Sequence, residues 1–314
     1  MRRRREVLGK LAAGHMPEIL IVGGGINGAG VFRDLAAQGV PSLLVDKADF
    51  ASGASAAPTR LIHGGLRYLE TGETDLVRES IRERNLLLKN AHHFVHPQPM
   101  WVPINNWFSG TLGAVGRFFG LTTKLGSKGG LPLKIGLLMY DMFDRDGQIM
   151  PRHRVHSSKY AYRQLPILKK NTKALFEFYD ARISHPERFV IELIGDAEAE
   201  CSGSIAIPYL SVDGCKDSGL ELVDVLTCQK FTIRPKIVVN ATGGWVDSTQ
   251  IRLGLEGGLM GGTRGIHLVL RKPELTAQLK GRMLYFETRD CRACAALPLD
   301  ETHVYVGTTD IRVD

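Results

Sequence analysis

The stretch Ile19-Leu20-Ile21-Val22-Gly23-Gly24-Gly25-Ile26-Asn27-Gly28 limits what this chain can fold into more than any other part of it. Four apolar residues run directly into a glycine turn, the pattern of a strand buried on both faces. Ile26 to Gln38 then carries helical spacing that Gly39 ends, and Ser42-Leu43-Leu44-Val45-Asp46 reads as a second strand. Together they make a β-α-β unit, which requires parallel strands and an α/β sheet. Within it, Gly23-x-Gly25-x-x-Gly28 has dinucleotide-binding spacing. The first glycine permits the turn, the second lets backbone approach a pyrophosphate, and the third lets helix and strand close together. Ile26 and Asn27 open the helix, whose N-terminal amides favour an anion. Asp46 ends the second strand and is placed to accept ribose hydroxyls, which disfavours a 2′-phosphate there. NAD and FAD both satisfy this pattern, so the spacing leaves the cofactor open. A glycine turn without a ligand is the competing reading, and the flanking strand, helix and acid weigh against it.

Lys236 to Asn240, followed by Ala241-Thr242-Gly243-Gly244, repeats the strand-into-glycine pattern and predicts that the chain returns to the same sheet. Strand-like pieces at 205–207, 220–226 and 231–233 precede it, separated by turn residues such as Asp213-Gly214. From Glu73 to Ala91, Val77, Ile81, Leu88 and Ala91 share a helix face that Arg84 interrupts. Arg84 is expected to snorkel outward, a paired buried arginine being the alternative. Residues 107–143 mix aromatic, glycine and lysine residues, and carry two readings: a loop leading into a core helix from near Leu133, or a segment resting on a bilayer.

At 314 residues, 44% apolar and 23% charged, the chain is long enough for two structural units, and its composition argues against extended disorder. A net charge of +7 fits an anionic membrane, nucleic acid or a phosphorylated substrate without choosing among them. The arginines at 2–5 and the polar stretch after them predict a surface helix rather than a signal peptide, and the lack of a long apolar run predicts no membrane span. Among the cysteines only Cys291 and Cys294 form a CxxC, too little for a zinc site, so reduced thiols and no metal are expected.

ILIVGGGINGAG, TRLIHGGLRYLE, VRESIRERNLLLKNA, FEFYDARI, VVNATGGWVD and VGTTD occur in order from about residue 18 to residue 311. Together they resemble the FAD-dependent glycerol-3-phosphate dehydrogenases, members of the D-amino-acid-oxidase-like flavoproteins, with LIHGGLRYLE the most specific segment. The resemblance implies FAD rather than NAD, and a Rossmann-like FAD-binding domain interleaved with a mostly antiparallel, sheet-based substrate domain. The expected division is 1–94 for the first part of the FAD domain, 95–200 for the first part of the substrate domain with a membrane-facing segment, 201–254 for the return to the FAD domain, and 255–314 for the rest of the substrate domain. The implied reaction is oxidation of sn-glycerol 3-phosphate to dihydroxyacetone phosphate, with electrons passed to a membrane quinone. The implied location is cytoplasmic, peripheral to the inner face of the membrane. A homodimer is a further expectation, and nucleic acid is not an expected partner.

Removing a hydride from a secondary alcohol needs the carbon held near flavin N5, a base for the hydroxyl proton and cations for the phosphate. Histidine suits the base because its pKa lies near neutrality, and arginine suits phosphate through its planar fork. By the resemblance, His267 in Arg264-Gly265-Ile266-His267 is the expected base, with a satisfied strand-edge histidine as alternative. Arg292 is assigned to the substrate phosphate or the developing alkoxide, and Arg60 to the phosphate, with solvated arginines as alternatives. Thr308 borders the ligand, although a polar turn also explains Thr308-Thr309-Asp310. For FAD the resemblance adds Lys47, Ser52 and Ser55 after Asp46, then Thr59, Leu61, His63, Gly64 and Gly65 along the flavin, and Ala241, Thr242 and Gly243 at the second glycine turn. His63 competes with His267 as base, and Arg67 is open between a ligand role and an ion pair with the following helix.

The sequence departs from the family in three places. Gly244 stands where the pattern has proline, and Ala295-Ala296-Leu297-Pro298-Leu299 lacks the aromatic that follows the corresponding proline. A GGKLTTYR-like segment and a further helical domain do not occur in the 314 residues, so a truncated form is expected. Two other readings stay open: an FAD-dependent oxidase or dehydrogenase of another 2-hydroxy acid or amine, and a catalytically inactive truncated flavoprotein.

Overall fold

The computed structural model describes residues 4–109, 129–144, 149–216, 219–288, 293–307, 309 and 311–312. The chain divides into two units, one of residues 1–60, 185–262 and 314, the other of residues 61–184 and 263–313. Each has its own sheet and its own core.

The first unit is built on a parallel sheet. Strand β1 (Ile19–Val22) pairs with β2 (Ser42–Val45) on one side and β11 (Ile237–Asn240) on the other, and β7 (Ile205–Ile207) extends the sheet beyond β2. Successive strand residues point to opposite faces. Leu20, Val22, Leu43 and Val45 therefore enter one cluster while Ile21 and Leu44 enter another. The second cluster is closed by Phe32 and Ala36 of α2 (Ile26–Ala37) and by Val190 and Ile194 of α6 (Pro186–Glu200). The first is closed by a three-stranded antiparallel sheet, β8 (Leu210–Lys216), β9 (Gly219–Asp224) and β10 (Lys230–Ile233), and by α1 (Arg4–Ala12). Helix α1 is more than a surface helix, because Val7 and Leu11 are buried in that cluster. Arg4 adds an anchor, donating to Asp224 Oδ1 at 2.5 Å and to the carbonyls of Pro208 and Tyr209.

The second unit has eight strands, all antiparallel except one pair. The order is β13 (Leu268–Arg271), β16 (His303–Gly307), β15 (Ala293–Pro298), β14 (Met283–Glu287), β4 (Val95–Ile104), β6 (Ala174–Ile183) and β3 (Leu61–Ile62), with β5 (Arg154–Ser157) also on β6. The parallel pair is β14 with β4. Met100, Val102, Phe176 and Phe178 pack with Leu137 of α4 (Gly130–Phe143) on one face. Trp101 and Leu175 pack with Ala161 and Leu165 near α5 (Ser158–Gln164) and with Leu279 of α8 (Pro273–Leu279) on the other. A two-stranded ribbon joins β12 (Thr263–Arg264) to β17 (Ile311–Arg312).

The unit boundaries differ from the divisions expected at 94, 200 and 254. Leu61 and Ile62 pair with Arg182 and Ala181, and Val77 and Ile81 of α3 (Thr74–Asn90) pack with Tyr140, which carries residues 61–94 into the second unit. Val190 and Ile194 pack against α2, which carries residues 185–200 into the first. Arg84 is a second correction: only 1% of it is exposed, and it is paired with Asp180 and Asp144 instead of snorkelling. The two carboxylates and a phenol give its guanidinium more partners inside than its reach to water would. Of the 107–143 stretch, residues 110–128 lie outside the described residues, and the helix begins at Gly130. Among the described residues no helix is long and apolar enough to cross a membrane.

Candidate active site

A cavity of about 570 Å³ opens in the first unit where β1, β2 and β11 end, lined by Val22, Asp46 and Ala241. Its floor is made of backbone. Gly23 has φ +106°, and a Cβ built on it would lie 2.5 Å from the Ala241 carbonyl oxygen. A Cβ on Gly28 would lie 1.8 Å from the Gly23 carbonyl oxygen, so α2 lies against the turn with no room for any side chain. The α2 N-terminus has no side-chain cap at Gly25 and no acid in its first turn, which leaves its positive end toward the cavity. Ser55 Oγ accepts from the Ile26 amide at 3.0 Å and ties the loop after β2 to that helix end.

Asp46 accepts from the Gly24 amide at 2.7 Å through Oδ2 and from the Ala48 amide at 2.8 Å through Oδ1. A carboxylate has about four acceptor directions, so two remain for ribose hydroxyls. On the opposite side Asn240 Oδ1 accepts from Thr242 Oγ1 at 2.6 Å, and Asn240 Nδ2 donates to the Val246 carbonyl at 3.0 Å, which shapes the Ala241–Gly243 turn. The residue set fits a dinucleotide: helix amides for the pyrophosphate, a carboxylate for the ribose, and a floor that only glycine permits.

Gly23, Gly25, Ile26, Asn27, Asp46, Lys47, Ser52, Ser55, Ala241, Thr242 and Gly243 all line this cavity, as expected from sequence. Gly28 acts beneath it through packing. Thr59 belongs to the same unit but is outside the lining, while Leu61, His63, Gly64 and Gly65 belong to the second unit. Sequence reasoning missed Leu210, Ser211, Val212, Trp245, Ser248 and Arg252. Trp245 had a signal, since it follows the second glycine turn. It carries Lys47 Nζ 4.2 Å from its ring centroid, and Gly53 leaves room for its ring edge. Leu210 to Val212 had none, because they begin a strand of the accessory sheet.

In the second unit, the His63–Gly65 turn is held from below. The Gly64 amide donates to Tyr140 Oη at 2.9 Å and to Asp180 Oδ1 at 3.1 Å. Arg84 Nη1 donates to the same two atoms at 3.0 and 2.9 Å, and Tyr140 Oη donates to Asp180 Oδ1 at 2.5 Å. Burial and the charge of Asp180 push the Tyr140 phenol well above its ordinary pKa, so it stays protonated as a donor. Gly65, at φ +73°, donates its amide to His63 Nδ1 at 3.1 Å.

His267 is half-buried and stacks on Tyr305, with ring centroids 4.3 Å apart. Its Nε2 is buried and lacks a hydrogen-bond partner among the described residues. Desolvation holds its pKa below the ordinary histidine value, which keeps the ring neutral at pH 7. Thr309 fixes the preceding residue, its Oγ1 accepting from the Ile266 amide at 2.9 Å. Arg60 belongs to the first unit and has φ +57°, a conformation uncommon outside glycine. Arg292, Thr308, Asp310 and Cys291 lie outside the described residues, as does the Arg67 side chain.

A family model described as FAD dependent oxidoreductase matches residues 18–314. The chain belongs to this family. FAD is the cofactor that membership carries, and the α/β fold, a Rossmann-like unit interleaved with a mostly antiparallel sheet unit, agrees with it. The chain is 34% identical to a protein of Synechocystis named glycerol-3-phosphate dehydrogenase, over 95% of this chain and 52% of that protein. It is 32% identical to the aerobic glycerol-3-phosphate dehydrogenase of Bacillus subtilis, over 93% of this chain and 49% of that protein. Its structure is similar to that of the Bacillus halodurans glycerol-3-phosphate dehydrogenase complexed with FAD, with a TM-score of 0.68 and 25% identity over 99% of this chain and 50% of that one. The chain therefore spans about half the length of the curated relatives it matches.

Proposed function

We propose that this chain carries cofactor- and substrate-handling residues of an FAD-dependent glycerol-3-phosphate dehydrogenase. The reaction is oxidation of sn-glycerol 3-phosphate to dihydroxyacetone phosphate, with electrons passed on to a membrane quinone. The observation that carries this reading is the glycine-floored cavity of the first unit, in a chain similar over nearly its whole length to proteins bearing that name.

In this reading the first unit holds the dinucleotide and the second handles substrate. The α2 amides and Ser55 face the pyrophosphate, Asp46 accepts the ribose hydroxyls, and Trp245 with Lys47 covers the rim. Bound FAD supplies a hydride acceptor for the hydrogen on C2 of the substrate. His267 accepts the C2 hydroxyl proton, for which its neutral ring is in the required state. Arg60 and Arg292 bind phosphate or the developing alkoxide, and Thr308 borders the ligand.

Peripheral membrane contact belongs to the same proposal. Leu131, Ile135, Leu138 and Met142 of α4 are between 36% and 54% exposed and recur at helical spacing on one face, with Lys134 beside them. An exposed apolar stripe with a flanking lysine suits the boundary of an anionic bilayer on the inner membrane face. Cosedimentation with anionic vesicles at low and high salt tests this, and no pelleting at either salt refutes it. A homodimer is proposed with it, and sedimentation velocity showing only monomer at assay concentration counts against that part.

The deciding experiment is a substrate panel on FAD-loaded protein with an artificial dye and with oxygen as acceptors. The proposal expects dye reduction with glycerol 3-phosphate. Turnover of a 2-hydroxy acid or an amine, with none of glycerol 3-phosphate, overturns it.

A further inference from the structure

The cluster beneath the His63–Gly65 turn has a polar economy that packing alone does not require. Tyr140 Oη uses its one proton toward Asp180 and both acceptor directions, toward Gly64 and Arg84. Asp180 Oδ1 collects three donors, from Gly64, Arg84 and Tyr140. The other end of Arg84 donates to Asn85 Oδ1 through Nε and Nη2, and lies 3.3 Å from Asp144. Tyr140, Arg84 and Asp180 are each at most 3% exposed. A Cβ on Gly64 would lie 2.3 Å from Tyr140 Oη and 2.5 Å from Ile81 Cγ1, so the turn is seated on the cluster at a glycine-only distance.

The turn in turn fixes the histidine. A neutral imidazole nitrogen that accepts a backbone amide carries no proton, so the Gly65 amide on Nδ1 places the His63 proton on Nε2. His63 is exposed, so that Nε2–H is available to a ligand. Taking up a second proton would require Nδ1 to let go of Gly65. We propose that the Arg84–Tyr140–Asp180 cluster is a positioning device: it holds the Gly64–Gly65 turn and thereby locks His63 as a fixed hydrogen-bond donor in the reaction rather than a proton acceptor. The use of that donor rests on the proposed dehydrogenase function, while the locking itself does not.

Tyr140→Phe tests the device, because it keeps the ring and removes the oxygen. Two readouts on the full chain need neither flavin nor substrate. Amide exchange at Gly64 should quicken by about tenfold, the loss of one hydrogen bond, and the ¹⁵N signals of His63 should move from a single Nε2–H tautomer to a mixture. Leu165→Ala, in a separate buried cluster, serves as the stability control and should do neither. In the active enzyme Tyr140→Phe should lower kcat by about tenfold with KM little changed. Unchanged exchange and tautomer in Tyr140→Phe, or equal changes in Leu165→Ala, overturn the positioning role. A wild-type protein with the expected tautomer that never oxidises glycerol 3-phosphate overturns the function reading instead.

Discussion

Two glycines on the same helix are predicted to respond to alanine with opposite sign. At Gly28 the new Cβ would meet the Gly23 carbonyl oxygen at 1.8 Å, whereas Cβ atoms are essentially never found within 3.0 Å of such a neighbour. The obstacle is backbone, so α2 must retreat from β1 by more than an ångström. Overpacking of this kind costs about 1–3 kcal/mol, a drop in melting temperature of roughly 3–10 °C for a unit of this size. The retreat also withdraws the Ile26 and Asn27 amides from the pyrophosphate position. Loss of one charge-assisted hydrogen bond, about 1.5–3 kcal/mol, weakens FAD by about 10- to 100-fold. Gly30 lies in the same helix with nothing within 4 Å of its built Cβ. There alanine removes only backbone freedom of the unfolded chain and should stabilise by about 0.5–1 kcal/mol. Differential scanning fluorimetry and a flavin-fluorescence titration read both quantities. If Gly28→Ala melts and binds FAD as wild type does, or if both variants shift the same way, the close seat of α2 on the glycine turn is refuted.

Three further outcomes follow from particular side chains. Burial lowers the His267 pKa, so the acidic limb of the kcat/KM profile should lie below about pH 6.5, and His267→Ala should lower kcat by about 10²-fold or more; a limb above that value, or unchanged turnover, removes it as base. Arg84→Ala leaves Asp180 and Asp144 buried without their cation and should destabilise by about 3–5 kcal/mol in urea unfolding, and a change under 1 kcal/mol contradicts the buried pairing. Burial alone would raise the Asp224 pKa, but donors from Leu226, Thr227 and Arg4 hold it below the ordinary value. A depressed native pKa gives stability that is present above the unfolded value and lost as pH falls through the native one. Asp224→Asn should therefore flatten the stability curve below about pH 4, which chemical denaturation at stepped pH would show.

The β-α-β unit, Asp46 and the second glycine turn were legible because each rests on local pattern: apolar runs, glycine spacing and an acid at a strand end. Strand β4 was not, because HPQPMWVPI carries three prolines, which ordinarily exclude a strand with neighbours on both sides. The structure shows why they are tolerated. Pro97, Pro99 and Pro103 share odd parity, and the even positions face β6, as the Phe94 and Ile104 carbonyls accept from Ser184 and Lys173. The missing amides thus fall on the side where β14 pairs only at Met100 and Trp101. Arg84 was read as snorkelling because a helix pattern shows which face is apolar but not that Tyr140 and Asp180, 56 and 96 residues away in sequence, converge on it. Gly64 was read as making room for a flat ring, yet the structure finds its crowding on the protein side, from Tyr140 and Ile81.

The central claim is that these residues deliver a hydride from glycerol 3-phosphate to bound FAD. Anaerobic addition of sn-glycerol 3-phosphate to the FAD-loaded protein, followed at the visible flavin bands, tests it without any electron acceptor. The account predicts bleaching within the dead time of a manual assay, and slow or absent bleaching in His267→Ala. Full colour retained after excess substrate, in a protein that dithionite still bleaches, would contradict it.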